Sequence, residues 1–123
     1  MKGIEPDKES GAGTALMTGV ALAALLLLSV VVLFAQASVA ALRAATAADL
    51  SALAGADAAR GLRDGSPCAV ASEVASLQDA RLTGCSIEGE SGHIVQVSTE
   101  VDSIPALPPA TGQARAGPPS PDP

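Results

Sequence analysis

The chain has 123 residues, 48% of them apolar, yet Phe34 is its one aromatic side chain, Tyr, Trp and Asn are absent, and 26 alanines supply much of the apolar count. That composition excludes an ordinary core anchored by large aromatic rings, and the length allows one small domain at most. Seven Lys and Arg against 13 Asp and Glu give a net charge of −6, which lacks the basic footprint of a nucleic-acid binder and the polybasic patch of a protein drawn to anionic lipid. One His and two Cys do not furnish a closed four-ligand zinc site, so no cofactor or metal is expected.

Residues 1–11 read as a charged leader, with Lys2 and Lys8 set among Glu5, Asp7 and Glu9. From Ser10 to Leu42 no residue is charged. Ala15 to Ala35 would span about 30 Å as a helix, the thickness of a bilayer's hydrocarbon core. Twelve Leu, Val or Phe residues lie between Leu16 and Phe34. At roughly 0.3 to 0.6 kcal/mol each, their insertion gains on the order of 5 kcal/mol with no charge opposing it. The sequence therefore predicts a membrane-spanning helix. The other reading, a helix buried in a soluble core, needs surrounding elements that the 81 residues after Leu42 do not supply.

Two fates are open for this span. Ala35-Gln36-Ala37 before Ser38 fits the small-x-small pattern of signal-peptidase cleavage. The apolar stretch is longer than the roughly 7 to 15 residues of a signal core, which favours retention. Within the span, Ala15, Gly19 and Ala23 form a small-xxx-small row that lets helix backbones approach.

Beyond it, Gln36 to Gly61 contains no Pro and is dominated by Ala and Leu, so the helix is predicted to continue over residues 12–60, extending out of the membrane. Ala37, Ala41 and Ala45 form one i, i+4 row and Ala40, Ala44, Ala48, Ala52 and Ala56 another, while Leu42, Leu50 and Leu53 add a broken apolar seam. Such a surface suits packing against other helices, and Ala48, Leu50 and Leu53 are the candidate contacts, with self-association one outcome.

Residues 61–104 are predicted to form a small module outside the cytoplasm. Gly61 to Pro67 breaks the helix. Ser66 as N-cap and Pro67 in the first turn then open a second helix ending near Ala80, with Val70, Val74 and Leu77 on one apolar face. Two strands, Leu82 to Glu88 and His93 to Asp102, follow as a hairpin around Gly89-Glu90-Ser91-Gly92. The second strand alternates Val95, Val97, Thr99 and Val101 against Gln96, Ser98 and Glu100, and the helix is expected to cover its valines. A module this small needs a staple, and a Cys68–Cys85 disulfide would supply it. Both cysteines lie beyond the span, so the bridge would place the module in an oxidising, exported compartment with the N-terminus cytoplasmic. The alternative is two unpaired thiols, Cys68 being then reactive at a helix N-terminus. Residues 105–123, with seven Pro in 19, read as a disordered tail.

The sequence holds no nucleophile elbow, phosphate-binding loop or metal-type spacing, and His93, beside Glu88 and Glu90 at a turn, reads as a solvated side chain. The expectation is a chain that is not an enzyme and takes no small-molecule substrate or nucleic acid. The leader, the Ser10-Gly11-Ala12-Gly13-Thr14 approach, the span and the helical segment Ala47-Ala48-Asp49-Leu50-Ser51-Ala52-Leu53-Ala54 together resemble the TadE-like family, pseudopilin relatives found in tight-adherence (Flp-type) pilus systems. Pro67-Cys68, Cys85 and the valine-alternating strand are similar to its short actinobacterial branch. The resemblance covers about Ser10 to Asp102. It implies a minor pilin-like or assembly component in the cytoplasmic membrane, partnered by lipid and by other pilin-like or secretion-system membrane proteins. Processing would fall between Gly11 and Ala12. Prepilin-like members carry a Glu shortly after that site, whereas here Ala12, Gly13, Thr14, Ala15 and Leu16 follow with no acid.

The reading is thus an α+β membrane protein: a long transmembrane helix, a helix-hairpin module and a disordered tail. A secreted small binding protein released after Ala37 is the alternative.

Overall fold

A computed structural model describes residues 4–119, and their side chains from residue 11 onward; the rest of the expected leader and tail lies outside the described residues. The fold is α+β. Helix α1 (Ile4–Ala59) is followed by α2 (Pro67–Leu77) and the strands β1 (Arg81–Glu88), β2 (Ile94–Val101) and β3 (Ala110–Ala116). The chain divides into two compact units at residues 35/36, inside α1.

In the first unit, residues 11–35 are helical with every side chain exposed. Ser29 Oγ donates to the Leu25 carbonyl at 2.8 Å, which satisfies the hydroxyl within the helix itself. Among the described residues, α1 is the one helix long and apolar enough to cross a membrane. Its apolar window is wholly unburied, unlike the core helix of a soluble domain.

The second unit is built on residues 36–59 of α1. The sheet is an antiparallel meander in the order β1-β2-β3. Val95, Val97, Thr99 and Val101 of β2 are all buried, as the two-residue alternation predicts. Facing them on the same side are Leu82 and Cys85 of β1 and Ala110, Gly112, Ala114 and Ala116 of β3. A register shift between Leu82 and Gly84 inserts Thr83 as a bulge. Without that extra residue Leu82 and Cys85, an odd number of positions apart, would point to opposite faces; the bulge resets the parity so that both reach the core.

Three features differ from the sequence reading. The sheet has three strands rather than two, and the third occupies part of the segment expected to be disordered. The prolines that suggested disorder are confined to its flanks, at Pro105, Pro108 and Pro109 before it and Pro118 and Pro119 after it, which leaves residues 110–117 able to pair. Helix α2 stops at Leu77 instead of near Ala80, with Gln78 as C-cap and Asp79 in the left-handed region at φ 56°. Its packed face is Val70, Ala71 and Ala75 with Val74 half-buried, while Leu77 stands 72% exposed. At about 100° per residue Leu77, in the last turn of the helix, lies roughly 90° from the middle of the face formed by Val70, Ala71, Val74 and Ala75, which accounts for its exposure.

Candidate functional site: one helical segment with two faces

The chemistry of the second unit begins with the alanines of α1. Ala40, Ala44, Ala48, Ala52 and Ala56, the longer of the two i, i+4 rows, are all buried, and Ala47 and Ser51 join them. Ala40, Ala44 and Ala47 pack with Ala75, Ala80 and Val101; Ala48, Ala52 and Ala56 pack with Ala71, Val95 and Val97. The shorter row, Ala37, Ala41 and Ala45, is half-buried at its start and exposed thereafter.

Small side chains on both surfaces allow helix and sheet backbones to come unusually close. A Cβ placed on Gly112 would overlap the backbone carbonyl of Ala44, and one on Gly55 would lie 3.0 Å from Val95 Cγ1 and 3.2 Å from the Pro67 carbonyl oxygen. At the same level Thr99 Oγ1, fully buried on β2, donates a 2.7 Å hydrogen bond to the Ala44 carbonyl oxygen. That oxygen uses its second lone pair here, and the buried hydroxyl is satisfied by the contact that fixes the height of the sheet on the helix. Ser51 Oγ, also fully buried, has no partner among the described residues.

The disulfide joins Cys68 in the first turn of α2 to Cys85 on β1, with Cα atoms 5.9 Å apart. It leaves no free thiol on the chain. The bond closes a loop of 17 residues, tying α2 to the sheet at a point where only small apolar contacts would otherwise hold it.

On the far side of the sheet the side chains are polar. Arg81 forms a two-pronged bond to Asp102, at 3.2 and 3.1 Å, and reaches Glu100 at 3.3 Å. The Asp102 hydrogen bond and charge, seconded by Glu100, hold its guanidinium above the ordinary arginine pKa. Arg115 pairs with Glu88 at 3.1 Å across β2. A shallow depression of about 300 Å³ lies between Gln96, Gln113, Ala114 and Arg115. His93 sits half-buried in the loop before β2, and among the described residues no three His, Cys, Asp or Glu side chains gather as a metal site.

The candidate helix-packing residues separate into groups. Ala15, Gly19 and Ala23 are exposed on the first unit, and nothing lies within 4 Å of a Cβ built on Gly19. Ala48 is fully buried against the module's own sheet, so it is engaged within the chain. Leu50 and Leu53 face outward, joined by Val39 and Leu42 at 53% and 68% exposure. Gly11 and Ala12 are exposed and helical. Sequence reasoning missed Gly112 and Thr99 as partners of Ala44; alternation marked Thr99 as inward-facing but did not show what it would meet. Comparison with protein-family models, with curated proteins and with solved structures finds no match.

Proposed function

We propose that this chain is a single-pass membrane component of a pilus or secretion assembly, TadE-like in kind, that works by helix packing rather than by catalysis. The observation that carries the proposal is the division of labour along α1. Its first part is leucine-rich and wholly exposed, suited to lipid, and its second part is held by a small disulfide-bonded module. The disulfide supports an oxidising, extracytoplasmic setting for residues 36–119, and hence a cytoplasmic N-terminus. Exposed Leu42, Leu50 and Leu53 give the module an apolar surface for neighbouring membrane proteins.

A second reading has its own support. The boundary between the units at residues 35/36 nearly coincides with the Ala35-Gln36-Ala37 cleavage pattern, and the first buried side chain of the module is Ala40. A cut after Ala37 would release the module with its core complete, as a secreted binding protein.

Intact mass of the chain recovered from membranes and from medium, with and without reduction and alkylation, separates the two. A membrane-bound chain that retains residues 12–35 and takes two alkyl groups only after reduction supports the assembly component. Removal of residues 1–11 would add pilin-type processing. A released chain beginning at Ser38 would overturn the anchored reading.

A further inference from the structure

The outward face of α1 in the second unit carries Val39, Leu42, Thr46, Leu50 and Leu53, all exposed. At about 100° per residue these five share one stripe, on the side of the helix opposite the buried alanines. Arg43 runs along one flank of the stripe and Asp49 along the other, each roughly 60° from its midline. Both are exposed, and neither enters an ion pair among the described residues. Asp57 and Arg60 close the stripe at its far end.

Charged flanks make lipid a poor cover for these leucines, because Arg43 and Asp49 would be drawn out of water together with them. The chain's own module already occupies the opposite face. A second copy of the chain suits the stripe on both counts. When two such helices lie parallel, opposite flanks meet, as flanking positions do in parallel coiled coils, so the Arg43 side of one copy runs along the Asp49 side of the next. An antiparallel pair would set like flank against like flank. Arg43 and Asp49 are six residues apart, about 9 Å along the axis, and a slip of roughly one turn between copies brings the guanidinium level with the carboxylate.

We infer that this stripe is a homotypic seam, on which a second, parallel copy packs leucine against leucine with Arg43 of one copy facing Asp49 of the other. The inference rests on the anchored reading above, since spans held in one membrane enforce the parallel arrangement, and it names the partner that reading leaves open.

The test uses the full chain in a bacterial cytoplasmic membrane, carrying one added cysteine and oxidised with copper phenanthroline before non-reducing electrophoresis. Leu50→Cys and Leu53→Cys are expected to give a covalent dimer. Leu77→Cys, as exposed but on α2 away from the stripe, is expected to give little. Arg43→Asp or Asp49→Arg, added to Leu50→Cys, should lower the dimer fraction by up to about five-fold, the size an exposed ion pair carries, and the double reversal Arg43→Asp/Asp49→Arg should restore it. Mass mapping of the Cys68–Cys85 bond checks that each variant is folded. Equal cross-linking at Leu50→Cys and Leu77→Cys, or charge reversals without effect, overturns the seam. No Leu50→Cys dimer in a membrane-retained chain with the native disulfide intact also overturns it and leaves the anchored reading standing. Recovery of the chain from the medium overturns both.

Discussion

The two parts of α1 use apolar residues in opposite ways. In residues 11–35 the large side chains are exposed all round, so no side of the helix is set apart as a core face. In residues 36–59 the large side chains are again exposed, and the buried ones are alanines together with Ser51. Burial in the second part is therefore decided by closeness rather than by size: a helix carrying Ala44 and Gly55 sits nearly backbone to backbone on a sheet carrying Gly112, and leucine has no room there. Each buried methyl contributes little, on the order of 0.8 kcal/mol. The interface instead depends on many such contacts and on one buried hydrogen bond, while the covalent bridge holds α2 to the sheet beside it.

The substitution with the largest expected effect tests that closeness directly. Gly112→Val drives a side chain into the Ala44 carbonyl, which is backbone and does not yield, so the sheet must lift; the loss is about 3 kcal/mol or more. Thermal unfolding of the detergent-solubilised chain, followed by far-UV circular dichroism, should show a fall of many degrees or no cooperative transition. Wild-type behaviour would mean that helix and sheet are not in close contact. Next is the double change Cys68→Ala/Cys85→Ala, expected to cost about 2 to 4 kcal/mol and to make the module sensitive to protease under conditions the parent resists. Unchanged protease resistance would show that the alanine packing suffices alone.

Thr99→Val removes the hydroxyl from Ala44 while keeping its shape, at a cost of about 1 kcal/mol, since the carbonyl remains within its helix. Thr99→Ser keeps the donor but loses a fully buried methyl worth about 0.8 kcal/mol, so the informative comparison in urea unfolding is Val against the parent, and a Val variant as stable as the parent would remove the hydrogen bond from the account. The smallest effect belongs to the surfaces facing away. Leu53→Ala should change stability by no more than about 0.5 kcal/mol, because its side chain is 57% exposed in the single chain. Arg81→Gln, for the same reason, should leave the melting temperature within measurement error even though it breaks three hydrogen bonds.

The parts of this architecture legible in the sequence are those with strong local signals. The uncharged Leu/Val run marks α1, although the helix already begins at Ile4 within the expected leader, and Pro67 after Ser66 and the valine alternation of β2 mark the start of their elements within a residue or two. The third strand was hidden because its inward residues are Ala110, Gly112, Ala114 and Ala116, too small to register as an apolar face, although their alternation with Thr111, Gln113 and Arg115 has the two-residue period of a strand. Leu77 misled because apolar spacing alone placed the face on Val70, Val74 and Leu77, whereas the packed face is turned toward Ala71 and Ala75, whose small side chains gave no apolar signal. Which alanine row of α1 would be covered was not legible at all. That depends on where Gly112 lies, 68 positions beyond Ala44, and periodicity carries no information about so distant a partner.

The meander order of the sheet bears on how the module comes together. β1 joins β2, and β2 joins β3, through short connections, and the disulfide spans 17 residues, so these closures cost little chain entropy. Docking onto α1 is different, since Thr99 meets Ala44 across 55 residues. Slow events in folding are those that close long loops, so the sheet is expected to form as a preassembled cap and to settle on the waiting helix last. In pulse-labelled hydrogen exchange the β1–β2 amides should then gain protection before the sheet docks. If they gain it only together with the docked state, the cap does not form ahead of its seat.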